Sequence, residues 1–227
     1  MAKRRPQRAS ARSNRASDPL HILITAGPTR EYIDAIRFIS NPSSGRMGYA
    51  IATAAAARGH RVTLVSGPVA LPAPQGVETL LVETGREMAT AAGRAFRDAD
   101  AAIFTAAVCD YRPVRRERHK LPKNPDGVTI EMTTTEDIAA SLGRRKGRRV
   151  TLAFALEDRN GRQKAERKRI VKHADAILLN GPANLNADRA TFEFLDAEGR
   201  WHAWPSGTKQ RIAERIIRTV EKMCASR

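Results

Sequence analysis

Ala101-Ala102-Ile103-Phe104-Thr105-Ala106-Ala107-Val108 is a run with a single polar side chain, bounded by Asp100 before it and Cys109-Asp110 after it. A strand this apolar has no face to present to water, so it predicts a parallel sheet covered by helices on both sides. The same signature recurs outward from it, at His21–Ala26, Arg61–Val65, Val77–Val82, Val150–Leu156 and Ala176–Asn180. Between these runs lie segments of helical composition at about 46–58, 87–97, 135–142 and 162–174, the first closed by Gly59 as a C-terminal cap. Alternation of strand and helix over the first 180 residues predicts an α/β fold: a doubly wound, mostly parallel Rossmann-like sheet with right-handed crossovers. Segments 128–133 and 190–204 read as a small antiparallel appendage, the second turning at Ala197-Glu198-Gly199. Residues 208–225 read as an amphipathic helix with Ile212, Ile216, Ile217, Val220 and Met223 on one face.

The 227 residues suit one domain with a modest addition, long enough to bury a core without disulfides or a structural metal. Cys109 and Cys224 could form only one bridge, and five scattered histidines offer no zinc spacing. Forty Lys and Arg against 24 Asp and Glu leave a net charge of +16, which calls for an anionic partner. Residues 1–18 hold six of those basic residues, one acid and almost nothing apolar, so they read as a disordered tail ahead of a single domain at 19–227. No apolar stretch follows the charged start and no run nears the roughly 20 residues of a membrane span, so the expected location is the cytoplasm, without a membrane partner. A nucleic-acid partner loses its appeal once the charge is divided between this tail and local clusters.

In an open α/β sheet, ligands sit beyond the carboxyl ends of the strands. The loop after the first strand, Gly27 to Gly48, is long and ends in Asn41-Pro42-Ser43-Ser44-Gly45, where small residues can expose backbone donors to a phosphate. An ordinary serine cap on the following helix is the alternative reading. Neither G-x-G-x-x-G nor G-x-x-x-x-G-K-[ST] follows the first strand. After the fourth strand, Asp110 stands where a carboxylate can reach a ribose or a metal, or can simply start an Asx-turn. Tyr111–Gly127, with three prolines and six basic residues including Lys120 and Lys123, reads as a mobile functional loop able to close over a polyphosphate. Lys164, Lys168 and Lys172 share a helix face with only Glu166 to oppose them, either a phosphate-binding stripe or a solvated face. Cys109 reads as a small buried residue rather than a nucleophile.

Taken together, ITAGPTREYIDAIRFISNPSSGRMGYAIA, TLVSGP, AAVCDYRP, the Lys-x-x-Lys loop, TTTEDI, LAFALE, QKAERKRIVKHADAILLN and GTKQRIAERI resemble the phosphopantothenate-cysteine ligase family of coenzyme A biosynthesis, in unbroken order over about residues 21–220. The resemblance implies a stand-alone form of a domain that many bacteria fuse behind a flavin-dependent decarboxylase. It implies activation of the 4'-phosphopantothenate carboxylate by CTP, or ATP, with Mg²⁺, and then displacement of the nucleotide by the amine of L-cysteine. By the same resemblance Asn41 and Lys120 are catalytic, and Asn41, Ala107 and Asn180 meet the substrate. Gly27, Ser43, Ser44, Gly45, Ala106, Asp110, Lys120, Asp137, Ile138, Phe154, Lys168 and Lys172 meet the nucleotide. The family's metal ligands are left unassigned, and a homodimer that completes the site across its interface is implied.

Three places depart from the family pattern: Pro122 within the lysine loop, Gly181 after Leu179-Asn180, and Asn186-Ala187-Asp188-Arg189 in place of S-D-x-N. They bear on substrate identity and nucleotide preference, leaving a diverged paralogue acting on another carboxylate as an alternative. A nicotinamide oxidoreductase is disfavoured by the missing glycine fingerprint and by the residues four after Tyr32, Tyr49 and Tyr111, which are Ile36, Thr53 and Arg115 rather than lysine.

Overall fold

The computed structural model describes residues 18–184 and 187–227. The disordered tail inferred for 1–18 lies, except for Asp18, outside the described residues, as does Asn186. The chain opens with β1 (His21–Ala26) and an antiparallel hairpin of β2 (Arg30–Tyr32) and β3 (Phe38–Ser40). Helix α1 (Arg46–Ala57) leads to β4 (Arg61–Ser66) and β5 (Glu78–Leu81), then α2 (Gly85–Ala95) and β6 (Ala101–Phe104). A second small pair, β7 (Tyr111–Pro113) and β8 (Met132–Thr134), precedes α3 (Ile138–Gly143) and β9 (Val150–Leu156). After α4 (Gly161–Val171) and β10 (Ala176–Asn180) come β11 (Arg189–Ala190), β12 (Glu193–Leu195), β13 (Trp201–Ala203), β14 (Gly207–Thr208) and α5 (Lys209–Ala225).

One sheet runs in the order β13-β12-β10-β9-β6-β1-β4-β5. From β10 to β5 all neighbours are parallel, and β12 and β13 extend the β10 edge antiparallel. The expected α/β architecture is therefore present, with one refinement: the second antiparallel hairpin is part of the main sheet rather than an appendage. Alternation along the strands feeds two cores. Ile22, Ile24, Ile103, Leu152 and Leu178 pack with Ile51 of α1 and Ile216 of α5. Leu23, Ala102, Phe104, Ala153 and Ile177 pack with Met88 of α2, Ile138 of α3 and Ala165 of α4. Every residue of β1 and β6 is buried, as strands covered on both faces must be.

Several boundaries differ from the sequence-based expectation. The fourth strand ends at Phe104 rather than Val108. There the N–H and the hydroxyl of Thr105 both turn to the Thr25 carbonyl, at 3.1 and 2.7 Å, and the chain leaves the sheet while Ala106 and Val108 keep packing on the α2–α3 side. Helix α2 starts at Gly85, two residues early, because Thr84 and Glu87 form a capping box. Similarly, α3 starts at Ile138, where Asp137 accepts from the Ala140 N–H. No helix joins β4 to β5, so the strict alternation fails at one crossover. The loop read as running from Tyr111 to Gly127 begins with a strand, β7, and the expected strand at 128–133 is shortened and shifted to β8. No helix among the described residues is long and apolar enough to cross a membrane.

From β1 the chain passes to β4 on one side, while β6 lies against the other side of β1. The strand order therefore reverses between β1 and β6, the place where doubly wound sheets open a crevice. The loops after these two strands are stitched together below the opening by the Ala107 N–H donating to the Gly27 carbonyl at 2.9 Å and by a bridge between Pro28 and Ala107.

Candidate active site

A cleft of about 770 Å³ opens at this point, within the ~300–1,000 Å³ usual for small-molecule sites. One wall is Asn41-Pro42-Ser43-Ser44-Gly45 and the first turn of α1. Glycines shape it. Gly27 turns the chain out of β1 at φ 73°, and Gly45 starts α1 at φ 70° without any side-chain cap. Gly48 lets α1 press on β1, since a Cβ there would stand 2.4 Å from the Ala26 Cβ and 2.6 Å from the Thr105 Oγ1. These are the three jobs of the dinucleotide-binding glycine fingerprint, namely turn, close approach and helix packing. Here the first glycine is separated from Gly45-Arg46-Met47-Gly48 by the β2–β3 excursion. The alternative of a serine cap fails: the Ser43 hydroxyl accepts only from the Gly45 N–H, at 3.4 Å, so the opening N–H groups of α1 lack a side-chain partner at the cleft wall.

Asn41 reaches across to the β6 loop. Its Nδ2 donates to the Val108 carbonyl at 3.0 Å, with the Ala107 carbonyl at 3.5 Å, which fixes the amide and leaves Oδ1 as the atom available to a ligand. Ala106, Ala107, Asp110, Ile138, Phe154 and Asn180 line the same cleft, with Phe154 set edge-on against Phe192 at 5.5 Å. Lys168 and Lys172 enter from α4. The lysine stripe is less repulsive than its own helix suggests, because acids from other elements neutralise it. Lys164 and Lys168 pair with Glu157 at 3.2 and 2.5 Å, and Lys172 with Asp137 at 2.6 Å, whereas Glu166 receives a hydrogen bond from the Trp201 indole. Burial opposes ionisation of Asp137. The Lys172 hydrogen bond, the Ala140 N–H and the Lys172 and Lys168 charges outweigh it and hold that carboxyl below the usual range.

All the site residues expected from sequence therefore meet in one cleft except two. Gly27 is buried beneath it as a backbone turn, and Lys120 lies on an exposed loop that does not line it. Cys109 is buried with its thiol directed at the Thr29 and Ile39 carbonyls, and burial pushes its pKa up, as befits a packing residue. Sequence reasoning missed Arg46, Phe192 and Lys209, all of which line the cleft, whereas the backbone near Glu136 to Ala139, which the family resemblance points to, does lie there.

The Lys120 loop is anchored rather than free. Asp34, fully buried, accepts from the N–H groups of Ile36, Arg37 and Leu121 at 2.8, 2.7 and 3.1 Å and from the Arg37 guanidinium at 2.6 Å. The same guanidinium donates to the Leu121 carbonyl at 2.7 Å. The Arg37 N–H, helped by those of Ile36 and Leu121 and by the Arg37 side chain, outweighs burial and holds the Asp34 carboxyl far below its ordinary value. A depressed carboxylate contributes stability above its unfolded pKa of about 3.9 and loses it as pH falls toward the folded value. The clamp is thus expected to hold at all pH values above about 4 and to weaken only in stronger acid. Asp34→Asn should remove it at neutral pH, seen as lost hydrogen-exchange protection of the Leu121 amide.

Fold and cleft define a doubly wound α/β protein with a crevice of small-molecule size at its switch point, lined by Arg46, Lys168, Lys172 and Lys209. Residues 18–223 match the family model described as DNA/pantothenate metabolism flavoprotein C-terminal domain, and the chain belongs to that family. It is 46% identical over 201 residues to the coenzyme A biosynthesis bifunctional protein CoaBC of Escherichia coli strain K12, covering 86% of this chain and 48% of that protein. It is also 40% identical over 205 residues to a cysteine/cysteine sulfinic acid decarboxylase from an unknown prokaryotic organism, covering 88% of this chain and 57% of that protein. A crystal structure of the C-terminal domain of a CoaBC superposes with a TM-score of 0.82 at 37% identity, covering 93% of this chain and 99% of that one. The chain spans about half the length of the CoaBC proteins it matches.

Proposed function

We propose that the protein joins 4'-phosphopantothenate to L-cysteine by way of an acyl-nucleotidyl intermediate formed from CTP or ATP, a step of coenzyme A biosynthesis. The observation that carries this reading is the convergence of Asn41, Ser43–Gly45, Ala106–Asp110, Phe154, Lys168 and Lys172, distant in sequence, on one cleft whose wall is an uncapped helix start. The substrate carboxylate attacks the α-phosphate and pyrophosphate leaves. The cysteine amine then attacks the acyl carbon, loses a proton and expels the nucleoside monophosphate. Asn41 holds the intermediate by its fixed amide, and the cationic side chains offset the phosphate charge as it shifts to the leaving group. Phe154 and Phe192 provide an apolar wall for the base.

Magnesium fits the donor set as a nucleotide-borne ion. No group of three or more His, Cys, Asp or Glu side chains among the described residues makes an all-protein cage. Asp110 and Glu136 are cleft carboxylates with no side-chain partner recorded among the described residues. Magnesium is commonly held by one or two carboxylates together with substrate phosphates, and when bound it neutralises phosphate charge. A homodimer is part of the same reading: Ile36, Phe38 and Tyr111 of the β2–β3 and β7 region are exposed at 63, 41 and 57%, an apolar surface suited to a second copy.

Pyrophosphate release on incubation with phosphopantothenate, cysteine, Mg²⁺ and either CTP or ATP tests the proposal; no release with any nucleotide would sink it. Lys120 stands outside the cleft of its own chain, so within this reading its charge acts on the site of the second copy in the homodimer; Lys120→Gln is expected to lower kcat by about 10²-fold with an unchanged melting temperature, since its side chain is exposed.

A further inference from the structure

The cations of the cleft differ in how they are neutralised. Lys168, Lys172 and Arg46 have acid partners in Glu157, Asp137 and Asp188. Lys209 lines the same cleft and, among the described residues, has no ion pair; its Nζ donates to the backbone carbonyl of Ala187. Its place is fixed by the β11–β14 pairing just before it and by its own N–H donating to the Asp188 carbonyl at 3.3 Å.

Most of the local field disfavours a cation here. Lys209 is the first residue of α5, at the positive end of a helix dipole and directly after the Thr208 cap. It is half-buried, which strips hydration from the ammonium. Arg46, the first residue of α1, stands close enough to repel it. Burial first, and then Arg46, push the Lys209 pKa down, with the Asp188 carboxylate only partly opposing them. A residue set against helix electrostatics, solvation and its neighbour, inside a ligand cleft, marks a functional position. Lys209 and the uncapped start of α1 leave uncompensated positive potential on the α1–α5 side, while Arg46 and the α4 lysines opposite are already paired with acids.

We propose that Lys209 binds the phosphate chain of the nucleotide against the start of α1, an inference that rests on the ligase reading. Calorimetric titration of CTP and ATP with Mg²⁺, and of inorganic pyrophosphate, into wild type, Lys209→Gln and Lys209→Arg tests it. Loss of a charge-assisted contact is expected to weaken triphosphate and pyrophosphate binding by about tenfold or more in Lys209→Gln. Lys209→Arg should retain most of it, and cytidine binding should not change. The melting temperature of free Lys209→Gln should equal or exceed that of wild type, because the substitution relieves the repulsion; Lys209→Met, which keeps the aliphatic stem, repeats the titration if glutamine disturbs the fold. Equal triphosphate affinity in wild type and Lys209→Gln overturns this inference alone, as would unfolding of all the variants, which would make Lys209 structural. Failure of the wild type to bind any triphosphate overturns the nucleotide reading as well.

Discussion

Replacing Asn41 by aspartate is expected to lower product formation by at least about 10²–10³-fold, the range found when one oriented transition-state contact is removed. The substitution is nearly isosteric, so the loss would arise from charge and hydrogen-bond polarity. Asn41 donates through Nδ2 to the Val108 carbonyl at 3.0 Å, and a carboxylate cannot donate there. Two oxygens would face each other, and the side chain would swing away from the β6 loop that now orients it. It would also bring a negative charge into a cleft that, on the proposed function, takes a carboxylate and phosphates. Asn41 is exposed, so the melting temperature should stay within a few degrees of wild type. Single-turnover measurement of the acyl-nucleotidyl intermediate and of final product would show which half-reaction fails. Full activity of Asn41→Asp would remove Asn41 from the mechanism.

The contrast between what sequence could and could not predict has a physical basis. The long apolar strands announced themselves because burial on both faces leaves no room for polar alternation, as at Ile22–Ile24 and Ala101–Phe104. Helix α5 was equally plain, its buried Ile212, Ile216, Ile217 and Val220 recurring at helical spacing. The hairpin of β2 and β3 was invisible, since strands of three residues with exposed Phe38 and Ile39 carry no usable period. The acids that balance Lys168 and Lys172 come from β9's end and the α3 cap, partners no inspection of the helix itself could supply. Lys209 escaped for a like reason: its significance lies in the nearness of Arg46, which is 163 positions earlier in the chain. The glycine fingerprint is hidden most thoroughly, because its sequence pattern is contiguous where the fold requires only proximity. An ideal Cβ on Gly45 would lie 3.5 Å from the Gly27 Cα, so the two glycines meet although the hairpin intervenes in sequence.

That hidden fingerprint makes a sharp prediction about Gly48. An alanine there must place its Cβ 2.4 Å from the Ala26 Cβ and 2.6 Å from the Thr105 Oγ1, closer than real contacts permit, and both neighbours belong to the packed ends of the central strands. Ala26 has no rotamer to adopt. The Thr105 hydroxyl is tied to the Thr25 carbonyl at 2.7 Å, so relief must come from moving α1 outward. Overpacking of this kind costs about 1–3 kcal/mol, which for a domain of this size corresponds to a melting temperature lower by about 2–12 °C. Because Gly48 also lines the cleft beside Asn41 and Ser44, the shift would displace the first turn of α1 from its ligand, and nucleotide affinity should fall together with stability. Gly93 provides the opposite case in the same fold. It lies within α2 with nothing inside 4 Å of an added Cβ, so Gly93→Ala should raise stability by about 0.5–1 kcal/mol through helix propensity and leave binding untouched. Thermal melts and nucleotide titrations of the two variants side by side decide the matter: a Gly48→Ala protein as stable and as competent as wild type would mean that the close approach of α1 to β1 is not what shapes the cleft.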